Sequence, residues 1–284
     1  MITVFTPTYN RAHMLPALYE SLKRQSYLAF EWLIVDDGST DNTRDIVANW
    51  IDEGQLSIRY YCQMNGGKHR AINKGVGLAK GNWFFIVDSD DTLTENALES
   101  ASKWMESVED DETFAGVSGM RKIGGRATHV KFDVLDISPL RISNYIRADK
   151  AEIFKTEILK TYPFPDILGE MFCAESLIWN RIGLRYKLRY VNEVIYICHY
   201  FEDGLTRKSL RLRRESPTYS SMNYKEQMEN MPTPKNKIRA AINYWRFVWF
   251  TKDYDKYRNI PLWAYLLLPI GVLFVMKDNK DLWR

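Results

Sequence analysis

The stretch FFIVDSDDTLT (Phe84–Thr94) sets three carboxylates, Asp88, Asp90 and Asp91, directly behind four apolar residues. Carboxylates this close repel one another, and burial of the strand behind them makes the repulsion harder to screen. An Asp-x-Asp pair on a turn can present hard oxygens to one divalent cation, and Mg2+ or Mn2+ suits such ligands. Mg2+ is commonly held by one or two carboxylates plus substrate phosphates, so a metal with a diphosphate would account for the clustered charge. Aspartates also serve strand-end turns and helix caps, and of the three Asp91 is the one assigned that role.

Three further constellations carry chemistry. In VDDGSTD, the carboxylate of Asp36 or Asp37 could accept hydrogen bonds from a nucleobase edge or a ribose, while Gly38 relaxes the turn. In NGGKHRAIN, Gly66 and Gly67 allow close backbone approach, and Lys68 and His69 stand at a helix start, which suits phosphate. In LGEMFCAES, Glu170 and Glu175 are the acids of an otherwise apolar stretch. A carboxylate among apolar side chains can have its pKa raised and act as a base. GVGLAKG has the look of a dinucleotide fingerprint, but it falls late in a helix and not after a strand, which excludes a dehydrogenase.

The elements that must position these residues alternate. ITVFTPTYN, FEWLIVDD, SIRYYCQM and NWFFIVDSDD read as strands. AHMLPALYESLKRQSY, NTRDIVANWIDEG, NGGKHRAINKGVGLAKG and TLTENALESASKWMES read as helices. Asp41 is expected to cap the second of these helices and Thr94 the fourth. Four alternations predict an α/β fold, a mostly parallel sheet flanked by helices, with ligands outside the carboxyl ends of the strands. Each of those ends is polar: Thr6–Asn10, Asp36–Ser39, Asn65–His69 and Asp88–Asp91.

Beyond this half, GVSGMRKIGG, HVKFDVL and KLRYVNEVIYICHY are expected as strands, ISNYIRA and AESLIWNRIG as helices, and Asp203–Met231 as loops. The division expected is a domain over 1–234, with a nucleotide-binding half to about 105 and an acceptor half after it, followed by a C-terminal helical, basic-aromatic extension over 235–284. That extension contains PLWAYLLLPIGVLFVM, which at helical rise is roughly 24 Å long, short of the ~30 Å hydrocarbon core. It reads either as a packed helix or as a segment that meets a membrane surface, flanked by Trp245, Trp249 and Trp263.

The net charge of +3 excludes a dedicated nucleic-acid binder. Cys62, Cys173 and Cys198 lack metal-ligand spacing and fit reduced thiols of a cytosolic chain. The opening MITVFTPTYN lacks the basic start and apolar run of a signal peptide, so a cytoplasmic location is expected. The basic run TRKSLRLRR (Thr206–Arg214) could fold over a diphosphate or remain a solvated loop, and His199 could approach a metal or pack.

FTPTYNRA, LIVDDGSTDNT, NGGKHRAINKG, GNWFFIVDSDD and the acidic region at AESLIWNRI, in this order over roughly residues 1 to 205, resemble the family 2 inverting glycosyltransferases of the GT-A (Rossmann-like) fold. The resemblance implies a nucleoside diphosphate sugar as donor, a UDP-sugar first among them, and Mn2+ or Mg2+ on the diphosphate. It implies that Thr6, Pro7 and Tyr9 lie along the nucleotide, that Asp36 or Asp37 meets the base, and that Gly67 and Lys68 lie near the base or phosphates. Asp88 would reach the ribose with Ser89 beside it, and Asp90, with Asp88, would ligate the metal. The family's Glu-Asp before the late helix here reads Glu175-Ser176, so the base is assigned to Glu175 first and Glu170 second. The acceptor implied is a saccharide or lipid-linked saccharide in cell-surface polysaccharide synthesis, with the chain peripheral at the inner face of the plasma membrane. Two rivals stand beside this reading. One is a sugar nucleotidyltransferase, whose Gly-rich basic loop FTPTYNRA does not supply; the other is a non-catalytic nucleotide-sugar-binding subunit.

Overall fold

A computed structural model describes residues 1–127, 130–146, 149–199, 205–252 and 259–282 of the chain. It divides into two compact units, Met1–Pro163 with Arg185–Phe201, and Phe164–Leu184 with Glu202–Arg284.

In the first unit β1 (Ile2–Thr8), α1 (Leu15–Lys23), β2 (Phe30–Asp36), α2 (Thr43–Glu53), β3 (Ile58–Cys62), α3 (Lys68–Leu78) and β4 (Trp83–Ile86) follow the predicted alternation. The strands β3, β2, β1 and β4 lie side by side and parallel. β1 and β2 are buried along their whole length, as a central parallel strand covered on both faces must be. Alternation along β1 sends Ile2 and Val4 into one cluster with Leu15, Leu18 and Leu22 of α1 and Trp50 of α2. Phe5 points the other way, stacks on Phe84 at 4.9 Å and meets α3 at Gly75, where an added Cβ would lie 2.2 Å from its ring.

The remaining strands are β5 (Thr92–Leu93), β6 (Phe114–Ile123), β7 (Arg126–Ala127), β8 (Val134–Ile137), β9 (Lys150–Lys155) and β10 (Lys187–Cys198). They extend the sheet in the order β3-β2-β1-β4-β9-β6-β10-β5. β9 is antiparallel to both β4 and β6, and β6 is parallel to β10, so this half of the sheet is mixed. α4 (Ala97–Glu106) and the short α5 (Thr156–Thr161) complete the helices of the first unit.

Local expectations meet several corrections here. Thr94 does not cap α4: Asn96 stands at its N-cap, and the Thr94 hydroxyl instead donates to the Val194 carbonyl at 3.4 Å. Nor is Asp41 the N-cap of α2, which is Asn42; from one residue earlier Asp41 accepts from the Thr43 backbone N–H at 3.1 Å and its hydroxyl at 2.6 Å. ISNYIRA holds only a turn of 3-10 helix, Ile142–Asn144. Part of that stretch, the start of HVKFDVL, Asp203 and Gly204 lie outside the described residues, as do the side chains of Thr206–Lys208.

The second unit is helical: α6 (Ser176–Gly183), α7 (Leu205–Glu215), α8 (Pro217–Asn230), α9 (Pro234–Phe247), a 3-10 segment Leu262–Leu267 and α10 (Leu268–Leu282). The loops expected between 203 and 231 are therefore helices. Hydrophobic periodicity gives no sign of α8 because its inward face is polar: Thr218, Ser220, Ser221 and Asn223 are all buried. Among the described residues no helix is long and apolar enough to cross a membrane.

Candidate active site

Polar residues collect at the carboxyl ends of β1, β2 and β4. In β1 the buried Thr6 hydroxyl accepts from the Trp32 indole N–H at 2.9 Å, so Thr6 joins β1 to β2. Pro7 is buried beside Val35, and Tyr9 beyond them is 48% exposed. Asn10 takes a left-handed backbone, φ +52°, one of the few non-glycine types that tolerates it. There its side-chain oxygen accepts from Thr40 N–H at 2.8 Å, while Ser39 Oγ accepts from Asn10 N–H at 2.8 Å. The two loops after β1 and β2 are thereby tied to each other.

Asp36 and Asp37 are both buried and both engaged by the protein. Asp36 accepts from Ser39 N–H at 2.8 Å and from the Tyr60 hydroxyl. Asp37 accepts from Gln63 Nε2 at 2.7 Å, Gly66 N–H at 2.9 Å and Gly67 N–H at 2.7 Å. Asp37 thus anchors the loop that leads into α3. Gly67 sits at the N-cap of α3 with φ +95°, a conformation that an L side chain resists, so the glycine is required by the turn itself.

The next residue, Lys68, reaches Asp88 with Nζ 2.6 Å from Oδ1. The Tyr196 hydroxyl of β10 accepts from Asp88 N–H at 3.0 Å, and the Arg121 guanidinium lies 4.1 Å from the Tyr196 ring centre. Burial pushes the Asp88 carboxyl up, but the charges of Lys68 and Arg121 outweigh it and hold the group below the usual carboxylate range. Burial, and then the charge of Asp88, push Asp90 up, and the same two causes push Asp91 up to about 7. Ser89 and Asp91 are buried, and Asp91 Oδ1 accepts from His199 N–H at 3.0 Å. The His199 ring contacts the Thr92 hydroxyl at 3.1 Å.

Sequence reasoning thus identified Lys68 and Asp88, which the fold brings together, but missed Tyr196 and Arg121. They come from β10 and β6, strands that join the sheet far from β4 in sequence, and no local pattern marks them. Among the described residues no three His, Cys, Asp or Glu side chains converge to hold a metal. The Asp88-x-Asp90 pair nevertheless offers hard carboxylate oxygens, and burial, then the Asp88 charge, disfavour ionised Asp90. This donor set fits the two-carboxylate half of a Mg2+ or Mn2+ sphere whose remaining ligands come from a diphosphate.

The two candidate bases belong to the second unit. Glu170 is buried and its carboxylate spans the first turn of α8, accepting from Thr218 N–H at 2.7 Å and Tyr219 N–H at 2.9 Å. It is a helix anchor in the literal sense: two orphan donors of a helix start are satisfied by one carboxylate. Glu175 is half-buried at the start of α6, where its side chain makes no capping bond. Ser176 beside it accepts from Asn223 Nδ2 at 3.2 Å.

The family described as "Glycosyl transferase family 2" matches residues 3–158. Glycosyltransferase GlyG of Streptococcus pneumoniae serotype 4 is 26% identical over 212 residues, which cover 69% of this chain and 70% of that protein. The fold is shared with the Staphylococcus aureus protein TarS solved with UDP-GlcNAc, at TM-score 0.66 and 19% identity, covering 95% of this chain and 79% of that one. It is shared also with a mannosyltransferase of Pyrobaculum calidifontis solved with GDP-Man and Mn2+, at TM-score 0.58 and 18% identity, covering 99% and 82%.

Proposed function

The chain belongs to the family 2 glycosyl transferases, and from that premise we propose an inverting enzyme that moves a sugar from a nucleoside diphosphate sugar to a hydroxyl of a saccharide or lipid-linked acceptor, in cell-surface polysaccharide synthesis. The observation that carries the donor half is the Lys68–Asp88 pair at 2.6 Å, next to an Asp90 whose protonation is favoured by burial and by Asp88. A cation-bearing diphosphate is the ligand such a group would take. The donors held by solved relatives support this class: UDP-GlcNAc in one, GDP-Man in the other. A UDP-sugar is the first choice, because TarS is solved both with UDP and with UDP-GlcNAc.

On this reading Thr6, Pro7 and Tyr9 lie along the nucleotide, Asp36 or Asp37 serves the base, and Gly67 and Lys68 face the phosphates. Asp88 and Ser89 lie on the ribose side. Asp90 and Asp88 would hold Mn2+ or Mg2+, which when bound supplies counter-charge and Lewis acidity for the departing diphosphate. Lys68 contributes a fixed positive charge on the same side. Glu175, as carboxylate, takes the proton of the acceptor hydroxyl. That oxygen attacks the anomeric carbon from the face opposite the diphosphate, the bond to the diphosphate oxygen breaks, and the anomeric configuration inverts. One protein carboxylate suffices, with no covalent intermediate. Residues 1–234 would carry this chemistry, and 235–284 would pack or hold the protein at the inner face of the plasma membrane.

The test is a panel of nucleotide sugars with Mn2+ and a saccharide acceptor, read as nucleoside diphosphate released. Release is expected, together with loss of Mn2+-dependent UDP binding in Asp90→Ala. Pyrophosphate release would instead identify a nucleotidyltransferase. Donor binding without turnover would identify a binding subunit, a reading that Ser176 at the family's Asp position favours.

A further inference from the structure

In the second unit, α10 packs against α9 and the 3-10 segment before it. Gly271 approaches α9 so closely that an added Cβ would lie 2.3 Å from the Trp245 Cβ. The Trp245 indole N–H donates to the Ala264 carbonyl at 2.7 Å, and both oxygens of the buried Asp278 accept from Arg246, at 2.5 and 2.6 Å. These contacts define the inner side. The outer side is apolar: Leu262 is 87% exposed, Leu266 80%, Leu273 63% and Met276 57%. Within α10, the exposed Ile270, Leu273, Phe274 and Lys277 fall at i, i+3, i+4 and i+7, a single stripe. A surface helix ordinarily turns its apolar stripe inward; this one turns it out. No charged residue occurs from Pro261 to Met276. A contiguous exposed apolar face of this kind marks a contact surface.

The surrounding charge identifies what covers it. The Arg246 guanidinium lies 5.3 Å from the Phe274 ring centre and that of Arg214 lies 4.5 Å from Phe250. Lys252 and Lys277 are exposed at the margins. Residues 205–252 contain eleven Lys or Arg against three Asp or Glu, in a chain whose net charge is only +3. Arg246 and Asp278 neutralise one another, which leaves Arg214, Lys252 and Lys277 as the cations of the margin. A second copy would bring a like-charged collar onto this one, whereas an anionic headgroup layer matches both the collar and the apolar stripe. Trp249, Trp263 and Tyr265, all exposed, are the ring types enriched at the headgroup level. At about 1.5 Å per residue α10 falls short of the hydrocarbon core, so a helix lying in the plane is the geometry that buries the stripe.

We infer that the outer face of Leu262–Lys277, with its cationic margin, is a docking surface for anionic lipid bilayers, on which α10 lies in plane. The inference deepens the proposed membrane contact and rests on that reading for the bilayer's identity, not for the surface itself. Its test uses the full chain and sedimentation with vesicles containing phosphatidylglycerol or with phosphatidylcholine alone. Binding is expected to the anionic vesicles, to weaken with salt, and to fall roughly tenfold or more in the double variant Leu266→Glu/Leu273→Glu. Both positions are exposed, so the fold should survive, which circular dichroism checks. Leu28→Glu, at a 73% exposed position in the first unit, should bind like the parent. Equal binding to both vesicle types, undiminished binding of the double variant, or no binding by the parent would overturn the inference. So would parent self-association in solution that the double variant abolishes, since the face would then belong to a second copy. Nucleoside diphosphate release in vesicle-free solution should be the same in parent and double variant. Its absence from both would count against the transferase and leave the vesicle result standing.

Discussion

Asp37 is the residue whose substitution separates recognition of a ligand from construction of the pocket. Its carboxylate accepts from Gln63, Gly66 and Gly67, at 2.7 to 2.9 Å, and it is only 4% exposed. In Asp37→Asn one oxygen remains, and the new amide group must face either the N–H of Gly67 or both the Gln63 amide and the N–H of Gly66, donor against donor. A hydrogen bond to a charged group contributes about 1.5–3 kcal/mol, and an unsatisfied buried donor costs about 1–3 kcal/mol. The loop can open and rehydrate both glycine N–H groups, so the full sum is not expected. We expect a loss of about 2–3 kcal/mol, and at about 2–4 °C per kcal/mol a thermal midpoint lowered by several degrees in the absence of any ligand. Lys68 follows Gly67 directly, so UDP affinity measured by calorimetric titration should fall as well, by roughly tenfold for a displacement worth ~1.4 kcal/mol. A weakened UDP complex with an unchanged midpoint would refute the anchoring argument and make Asp37 a ligand contact. No change in either would refute both.

Glu31 is buried and accepts from the Thr3 hydroxyl and Lys80 N–H, each at 2.7 Å, and from Arg59 at 2.9 Å. Burial pushes its carboxyl up, but these bonds and the Arg59 charge outweigh burial and hold it below the usual range. A depressed carboxylate contributes stability above its unfolded pKa that is lost as pH falls through its folded pKa. Glu31→Gln should therefore cost ~2–4 kcal/mol at neutral pH, a gap that closes in denaturant titrations carried below about pH 4. Glu170→Ala strands two N–H groups at the start of α8 and should cost about 1–3 kcal/mol of stability, whereas Glu175→Gln should leave the unfolding midpoint in place and stop transfer. The reverse pattern would overturn the choice of base. Gly75→Ala drives a methyl into the Phe5 ring and should destabilise by about 1–3 kcal/mol, read from denaturant midpoints; a neutral result would mean that α3 slides freely on β1.

The first half of the fold was legible because its signals are local. β1, β2 and β4 are apolar runs closed by turn residues, and α1 to α3 start and stop at Pro, Asn and Gly signals within a few residues of their ends. What was not legible depends on contacts distant in sequence. β9 lies between β4 and β6 although its residues, KAEIFK, carry mixed charge; its place is fixed by antiparallel pairing on both sides. α8 hides its helical period because its inner face carries hydroxyl and amide groups, and Glu170, some fifty residues earlier, closes its amino end. A polar inner face gives a hydrophobicity pattern nothing to detect.

The same distinction explains the acidic cluster. Sequence alone shows three carboxylates after FFIV and no compensating charge nearby. The compensation comes from other strands and loops: Lys68 from the turn that Asp37 anchors, and Arg121 from β6, above the Tyr196 ring. These hold Asp88 ionised. Asp91 is relieved differently, by burial that pushes its carboxyl up to about 7 and by the His199 N–H that one oxygen accepts. At Asp90 burial, and then the Asp88 charge, outweigh the nearby Arg11 and Lys68 charges and disfavour the ionised form. A group in that position gains most from an added cation, so of the three carboxylates Asp90 is the one whose removal should most reduce the response of donor binding to Mn2+.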